Sequence, residues 1–388
     1  MHSKHKVNLQ FNSFQLEKGF HNLITDVPGV KVGHVTLDEG DIQTGVTAIL
    51  PHEGNVFKQK VTASTYVMNG FGKSIGLVQI DELGTIETPI LLTNTLSVGR
   101  VATGLIQYML EQNQDIGVSA GSVNPVVCEC NDGYLNAIRG LNIKEEHAFE
   151  AIQQCQTDFE QGAVGAGRGM VCYGLKGGIG SASRVVVLDG VTYTVGMLVL
   201  TNFGNLKTLM IDGEKVGIKI LEEQAQDNRL ANQPPASQPS EGPSSTSQPF
   251  AGQSSVYDLS VETDLKEQGS MIAVLATDMP LNDRQLKRLL KRIPVGMART
   301  GAHFGSGSGD VFFGFTTANL IQHDESLDVI HQKILNENRI DQAFQAVIET
   351  TEESILNSLF YASTVSGREG RIKKSLLEHS EQLQHIKY

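Results

Sequence analysis

The sequence predicts an α/β protein built as layered sheets covered by helices. Three observations point there. Apolar, β-branched stretches come in adjacent pairs, helical periodicities are grouped between those pairs, and 40 glycines in 388 residues supply the tight turns that such layers need. A doubly wound sheet would instead alternate strand and helix along the chain.

Size and charge narrow the class. A chain of 388 residues buries a substantial core, as one large domain or two ordinary ones. Its formal net charge of -12 and pI near 5.4 argue against a nucleic-acid binder or a ligand of anionic membranes. No apolar run reaches the roughly 18 residues of a membrane span. The first 20 residues lack the apolar core of a signal peptide. The expectation is a soluble, cytoplasmic protein. Cys128, Cys130, Cys155 and Cys172 are too few and too irregularly spaced for a disulfide framework and read as reduced thiols. Cys128 and Cys130 would share a strand face. A metal there stays open, although a structural zinc wants four ligands and no second pair is nearby.

Taken in order, residues 1–22 read as an extension and 23–388 as the folded body. Leu23–Thr36 alternates, with a turn at Pro28-Gly29, and Gly45–Pro51 and Glu87–Thr95 read as strands. Ser97–Gln112 has helical spacing. Gly72–Gly76 fits the Gly-x-Ser-x-Gly elbow of α/β-hydrolases, but Leu77–Ile80 reads as a continuing strand where that motif needs a helix. The same Gly-Lys-Ser is no P-loop, since Val67 stands where its first glycine belongs. Val126–Leu135 is a strand entering a polar turn, and 145–160 reads as a helix. The glycines of 162–169 and 177–180 lack dinucleotide-loop spacing, and read as tight turns and close packing. No cofactor is therefore expected, and a cofactor-dependent oxidoreductase is disfavoured. Ser183–Leu188 and Thr192–Thr201 are two further strands, the second ending at Asn202-Phe-Gly204.

Gln224–Ser255 differs in kind. It holds five of the 11 prolines and almost no large apolar residues, so it reads as a disordered insert. After it, Met271–Ala276 is a continuous apolar run of the buried-strand type. Leu281–Ile293 reads as a basic amphipathic helix stopped by Pro294, Gly301–Asp310 as a loop, Val311–Phe315 as a strand and Ile340–Ser363 as a long helix.

The step Gly269-Ser270 opens the Met271–Ala276 run. In the plain reading it is a loop-to-strand turn. In the chemical reading, Gly269 lets its carbonyl twist toward the Ser270 hydroxyl, which takes the acyl group from nitrogen to oxygen. Hydrolysis would free a Ser270 α-amine, whose pKa of roughly 7.7–8 suits a general base near neutrality.

Segments spread over most of 23–370 together resemble one family. They are Ile24–His34, Glu87–Thr95, Asn131–Asn136, Gly177–Gly180, Asn202–Gly204, Gly269–Ile272 and Gly307–Asp310. That family is the L-aminopeptidase/D-Ala-esterase/amidases, which include the β-peptidyl aminopeptidases. The resemblance implies a four-layer αββα sandwich, shared with ornithine acetyltransferases. It also implies self-cleavage into an α part ending at Gly269 and a β part beginning at Ser270. Ser270 would be the nucleophile with its own amine as base. Asn202 and Tyr134 would polarise the carbonyl, Ser308 and Asp310 would orient the nucleophile, and Glu129 would pair with the substrate amine. A homo-oligomer of processed αβ heterodimers and a small peptide, amide or ester substrate are also implied.

From the residues alone, Asp310 also suits a turn cap, Tyr134 a core aromatic and Asn202 a left-handed turn. Leu96 and Cys130 depart from the family's usual pattern, which puts substrate preference in question. The rival readings are an ornithine-acetyltransferase-like acyltransferase, disfavoured by Gly-Ser at the junction, and an unprocessed binding protein of the same fold.

Overall fold

The computed structural model describes residues 9–11, 13–231, 268–384 and 386. In chain order the strands and helices are β1 (Lys31–Leu37), β2 (Thr44–Leu50), β3 (Gln59–Gly70), α1 (Leu77–Leu83), β4 (Thr85–Ile86), β5 (Ile90–Asn94), α2 (Val98–Gln112), β6 (Val126–Cys130) and α3 (Glu146–Gln153). Then come β7 (Val171–Cys172), β8 (Leu175–Lys176), β9 (Ile179–Leu188), β10 (Val191–Asn202), α4 (Val216–Ala231), β11 (Gln268–Thr277), α5 (Asp283–Leu290) and α6 (Ile293–Arg299). The chain closes with β12 (Gly307–Gln322), α7 (Asp341–Phe360), β13 (Val365–Ser366) and β14 (Ile372–Lys373).

Two sheets dominate, one in the order β1-β2-β5-β6 and one in the order β4-β3-β12-β11-β10-β9. Their pairs are antiparallel except β5 with β6 and β11 with β12. Parallel neighbours need a crossover, and α2 serves the first pair while α5 and α6 serve the second.

Three apolar layers hold the sheets in a sandwich. Val32, Ile49, Leu92 and Cys128 meet Leu200, Ile272, Val274 and Phe313 between the sheets. Val46, Leu91 and Val127 pack under Leu105 of α2 and Ile152 of α3. Val199, Met271, Ala273 and Phe312 pack under Leu289 of α5, Met297 of α6 and Leu359 of α7. The result is the expected αββα architecture. It also explains the continuous apolar run of β11. Met271, Ala273 and Leu275 face the helices while Ile272, Val274 and Ala276 face the other sheet, so neither side meets water.

Five local expectations change. Leu77–Leu83 is the helix α1, because a short apolar run does not distinguish helix from strand. A helix therefore does follow Gly72–Gly76, but the Ser74 hydroxyl is buried where an elbow serine must be exposed. The helix expected over 145–160 ends at Gln153. Pro294 does not stop a helix but sits in the first turn of α6, where its missing N–H costs nothing. Strand β12 begins at Gly307, inside the expected loop, because it pairs with β11 from Gln268 onward. Of the expected disordered insert, Gln224–Ala231 belongs to α4, and 232–255 lie outside the described residues.

Within the expected extension, Leu9 and Phe11 are buried in the helix-side core. Glu349 of α7 accepts the Gln15 and Leu16 amides at 2.8 and 3.3 Å. The glycine turns pack backbone on backbone. A Cβ on Gly178, whose φ is +145°, would lie 2.0 Å from the Gly162 carbonyl oxygen.

Candidate active site

The site forms where the end of β10 meets the starts of β11 and β12. Register pairs Asn202 with Ser270 and Gly269 with Ser308. By strand alternation Asn202 and Ser270 share the face of Leu200 and Ile272, which looks toward the other sheet. The Ser270 hydroxyl donates to the Gly269 carbonyl at 2.7 Å. Gly269 has φ +144°, and a Cβ there would stand 2.2 Å from the Asn202 carbonyl oxygen, so the junction accepts glycine alone without rearrangement.

Beneath this floor lies a polar network in the core. Asp310 Oδ1 accepts the Met271 amide at 3.1 Å, and Oδ2 accepts the Ser308 hydroxyl at 2.5 Å. Asn69 Nδ2, from β3, reaches Ser308 Oγ at 2.9 Å and Asp310 Oδ2 at 3.3 Å. Asp310 thus ties the residue after Ser270 to β12. This support comes from strands rather than loops, at a register shift where Asp310 faces Asn69 and Val311 faces Val67.

A cavity of about 670 Å³ opens above Ser270, and Gly269, Asn202, Glu129 and Tyr134 line it as well. Asn202 is held at both ends of its carboxamide. Its oxygen accepts the Val171 amide at 3.0 Å, and its Nδ2 donates to the Asn131 carbonyl at 3.0 Å. Glu129 is 3 % exposed, accepting the Lys73 amide at 2.7 Å and the Thr95 hydroxyl. Tyr134 stays 45 % exposed, with Lys373 Nζ 4.6 Å from its ring centroid. Of the sequence candidates, five therefore meet in the cavity, while Ser308 and Asp310 stand buried behind it.

Cys130 is directed into the inter-sheet core, with its thiol 3.5 Å from the Ser270 carbonyl. Burial first, then Glu129 and Asp310, pushes that thiol well above its ordinary range, so it is no thiolate nucleophile. Cys128 is raised in the same way. Among the described residues no group of three or more His, Cys, Asp or Glu side chains is arranged to hold a metal. Thr95 lines the cavity, rather than its neighbour Leu96.

Sequence reasoning missed Asn69, Thr95, Lys73, Lys373 and Lys176. Lys176 is fully buried and donates to the carbonyls of Gly167, Met170 and Gly177 at 2.9, 2.7 and 2.6 Å. It thereby fastens the turn that delivers the Val171 amide to Asn202. A lone lysine or asparagine carries no motif; Thr95 stands within a segment that carries the family resemblance, and Lys73 within the Gly72–Gly76 run set aside as an elbow and a P-loop.

The fold is an α/β sandwich like that of the N-terminal-nucleophile hydrolases, and comparisons with known proteins agree. The crystal structure of the PH0078 protein from Pyrococcus horikoshii OT3 is 46 % identical, with a TM-score of 0.81 over 97 % of this chain and 96 % of that one. The L-aminopeptidase D-Ala-esterase/amidase of Ochrobactrum anthropi, described as a variant among the Ntn hydrolase fold, is 29 % identical. Its TM-score is 0.80, over 97 % of this chain and 96 % of that one. The β-peptidyl aminopeptidase BapA of Sphingosinicella microcystinivorans is 36 % identical over 367 residues, 92 % of this chain and 86 % of the relative. Residues 22–373 match peptidase family S58, and the chain belongs to that family.

Proposed function

We propose that this peptidase is a self-processing serine aminopeptidase that releases N-terminal residues from small peptides, amides or esters. The observation that carries the reading is the Ser270 hydroxyl lying 2.7 Å from the Gly269 carbonyl oxygen, on the floor of a cavity shared with Asn202, Tyr134 and Glu129.

Maturation starts when Ser270 Oγ attacks the Gly269 carbonyl carbon. The C–N bond breaks, the hydroxyl proton passes to the departing nitrogen, and an ester joins Gly269 to Ser270. Water then hydrolyses that ester, leaving a Gly269 carboxylate and a free Ser270 amine. In turnover the amine takes the hydroxyl proton as Oγ attacks a substrate carbonyl. The second N–H of Asn202 Nδ2 and the Tyr134 hydroxyl donate to the oxyanion, each such donor typically worth about 2.7–4 kcal/mol. Ser308 and Asp310 orient the nucleophile through β11. Glu129 still has lone pairs for an ammonium group, so it holds the substrate's free amine and limits cleavage to the first residue.

The relatives named for β-peptides make β-amino-acid termini candidate substrates beside α-amino acids. We further propose a cytoplasmic homo-oligomer of processed heterodimers. Among the described residues no helix is long and apolar enough to cross a membrane.

Intact mass under denaturing conditions tests the reading. Two fragments that divide between Gly269 and Ser270, and a single chain in Ser270→Ala, are expected. A wild-type chain that stays at 42.0 kDa on long incubation replaces this reading with a non-enzymatic binding protein.

A further inference from the structure

The cavity contains a charge that the chemistry above does not use. Lys373 lies on the β13–β14 hairpin, half-buried, with its ammonium 4.6 Å from the Tyr134 ring centroid. Its neighbour Arg371 also approaches that ring, at 5.2 Å, but is paired at 2.7 Å with Glu369, a carboxylate that Arg368 shares. Lys373 forms no ion pair with any described residue. A cation–π contact with one face of a tyrosine is weak compensation for a half-buried ammonium. Burial accordingly lowers the lysine below its ordinary range.

We propose that Lys373 is a specificity-determining residue that binds a carboxylate of the substrate. The inference rests on the aminopeptidase reading and deepens it. Glu129 takes the ammonium end of the substrate, and it is itself bonded to the Lys73 backbone, on a different segment from the Lys373 hairpin. A free dipeptide is a zwitterion, with an ammonium and a carboxylate a few bonds apart across the scissile amide. One buried carboxylate and the half-buried Lys373 ammonium in the same cavity complement it; the other lysine of the lining, Lys73, is exposed and donates to the Phe71 carbonyl at 3.3 Å. The preferred substrate class is thus very short free peptides. An acidic side chain on the first residue presents the same chemistry, and the test separates these two sources.

Four substrates are compared on the processed wild-type enzyme and on Lys373→Met. They are Ala-Gly and its C-terminal amide, and the p-nitroanilides of Asp and Asn. Wild type is expected to favour Ala-Gly over the amide in kcat/KM by about tenfold, as for a charge-assisted contact, and Lys373→Met to bring that ratio close to one. Because ratios are read on one preparation, a poorly folded variant lowers both rates and leaves its ratio alone. A preference confined to Asp over Asn that vanishes in the variant keeps the carboxylate contact but assigns it to the side chain. The proposal is overturned if wild type shows no preference in either pair, or if a preference survives Lys373→Met. A processed enzyme that cleaves none of the four overturns the aminopeptidase reading, and this proposal falls with it.

Discussion

At Asp132 the chain buries a carboxyl beside the turn that carries Asn131 and Tyr134, with Asn136 Nδ2 donating to it at 2.9 Å. Burial pushes its pKa up to about 7, against the opposing pull of Thr44, Asn136 and Lys176. An unfolded Asp titrates near 3.9. Between about pH 4 and 7 the folded chain therefore keeps a proton that the unfolded chain has lost. The stability from this group is full below about pH 4 and is lost as pH rises through 7. In a Ser270→Ala background, which removes self-cleavage, Asp132→Asn is expected to lose less stability than its parent between pH 5 and pH 8. Urea midpoints at the two pH values measure this, and parallel pH dependences would refute it.

The segment from Gly165 to Gly177 acts as one element because Lys176 holds three of its carbonyls. Its ammonium is driven well below the ordinary lysine range, chiefly by burial. Removing it deprives the buried Gly177 carbonyl of its donor, at a typical cost of about 1–3 kcal/mol per unsatisfied group, while the Gly167 and Met170 carbonyls keep the Met170 and Gly177 amides. It also loosens the Val171 amide that aims Asn202. Lys176→Met is expected to reduce kcat about tenfold while KM changes little, the pattern of a contact felt in the transition state alone. Steady-state kinetics on an aminoacyl p-nitroanilide would decide this, and a change confined to KM would rule out the positioning role.

Across the whole molecule, β9, α7 and the N-terminal segment are joined by buried charge. Arg184 meets Glu349 at 2.8 Å and Glu353 at 2.7 Å, with all three side chains essentially inaccessible, and Lys18 adds a second contact to Glu353 at 2.6 Å. Such a network is weak evidence of net stabilisation, but removing Arg184 leaves Glu349 buried with no cation paired to it among the described residues, while Glu353 keeps Lys18. Arg184→Met is expected to cost about 3–5 kcal/mol in denaturant unfolding near neutral pH. A loss below about 1 kcal/mol would show that water or a neighbour replaces the guanidinium.

The candidate site was legible as far as its residues sit in short, distinctive segments. Ser270, Asn202, Tyr134 and Glu129 were named from such segments, and the sheet register brings Asn202 opposite Ser270. Hydrophobic period sufficed for β11 and α2, because burial on two faces or one stripe leaves a pattern in the chain. It failed at Leu77–Leu83, where seven residues are too few to separate periods of 2 and 3.6. The sequence by itself determined the layered class, the strand after Ser270 and the chemical types available for acyl transfer. Only the tertiary structure decided that Asn69 reaches Ser308 and Asp310, that Lys176 secures the turn beside Asn202, and that Lys373 enters the cavity with no counter-charge among the described residues. Those contacts join residues far apart in the chain, and no local spacing encodes which distant groups a packed core brings together.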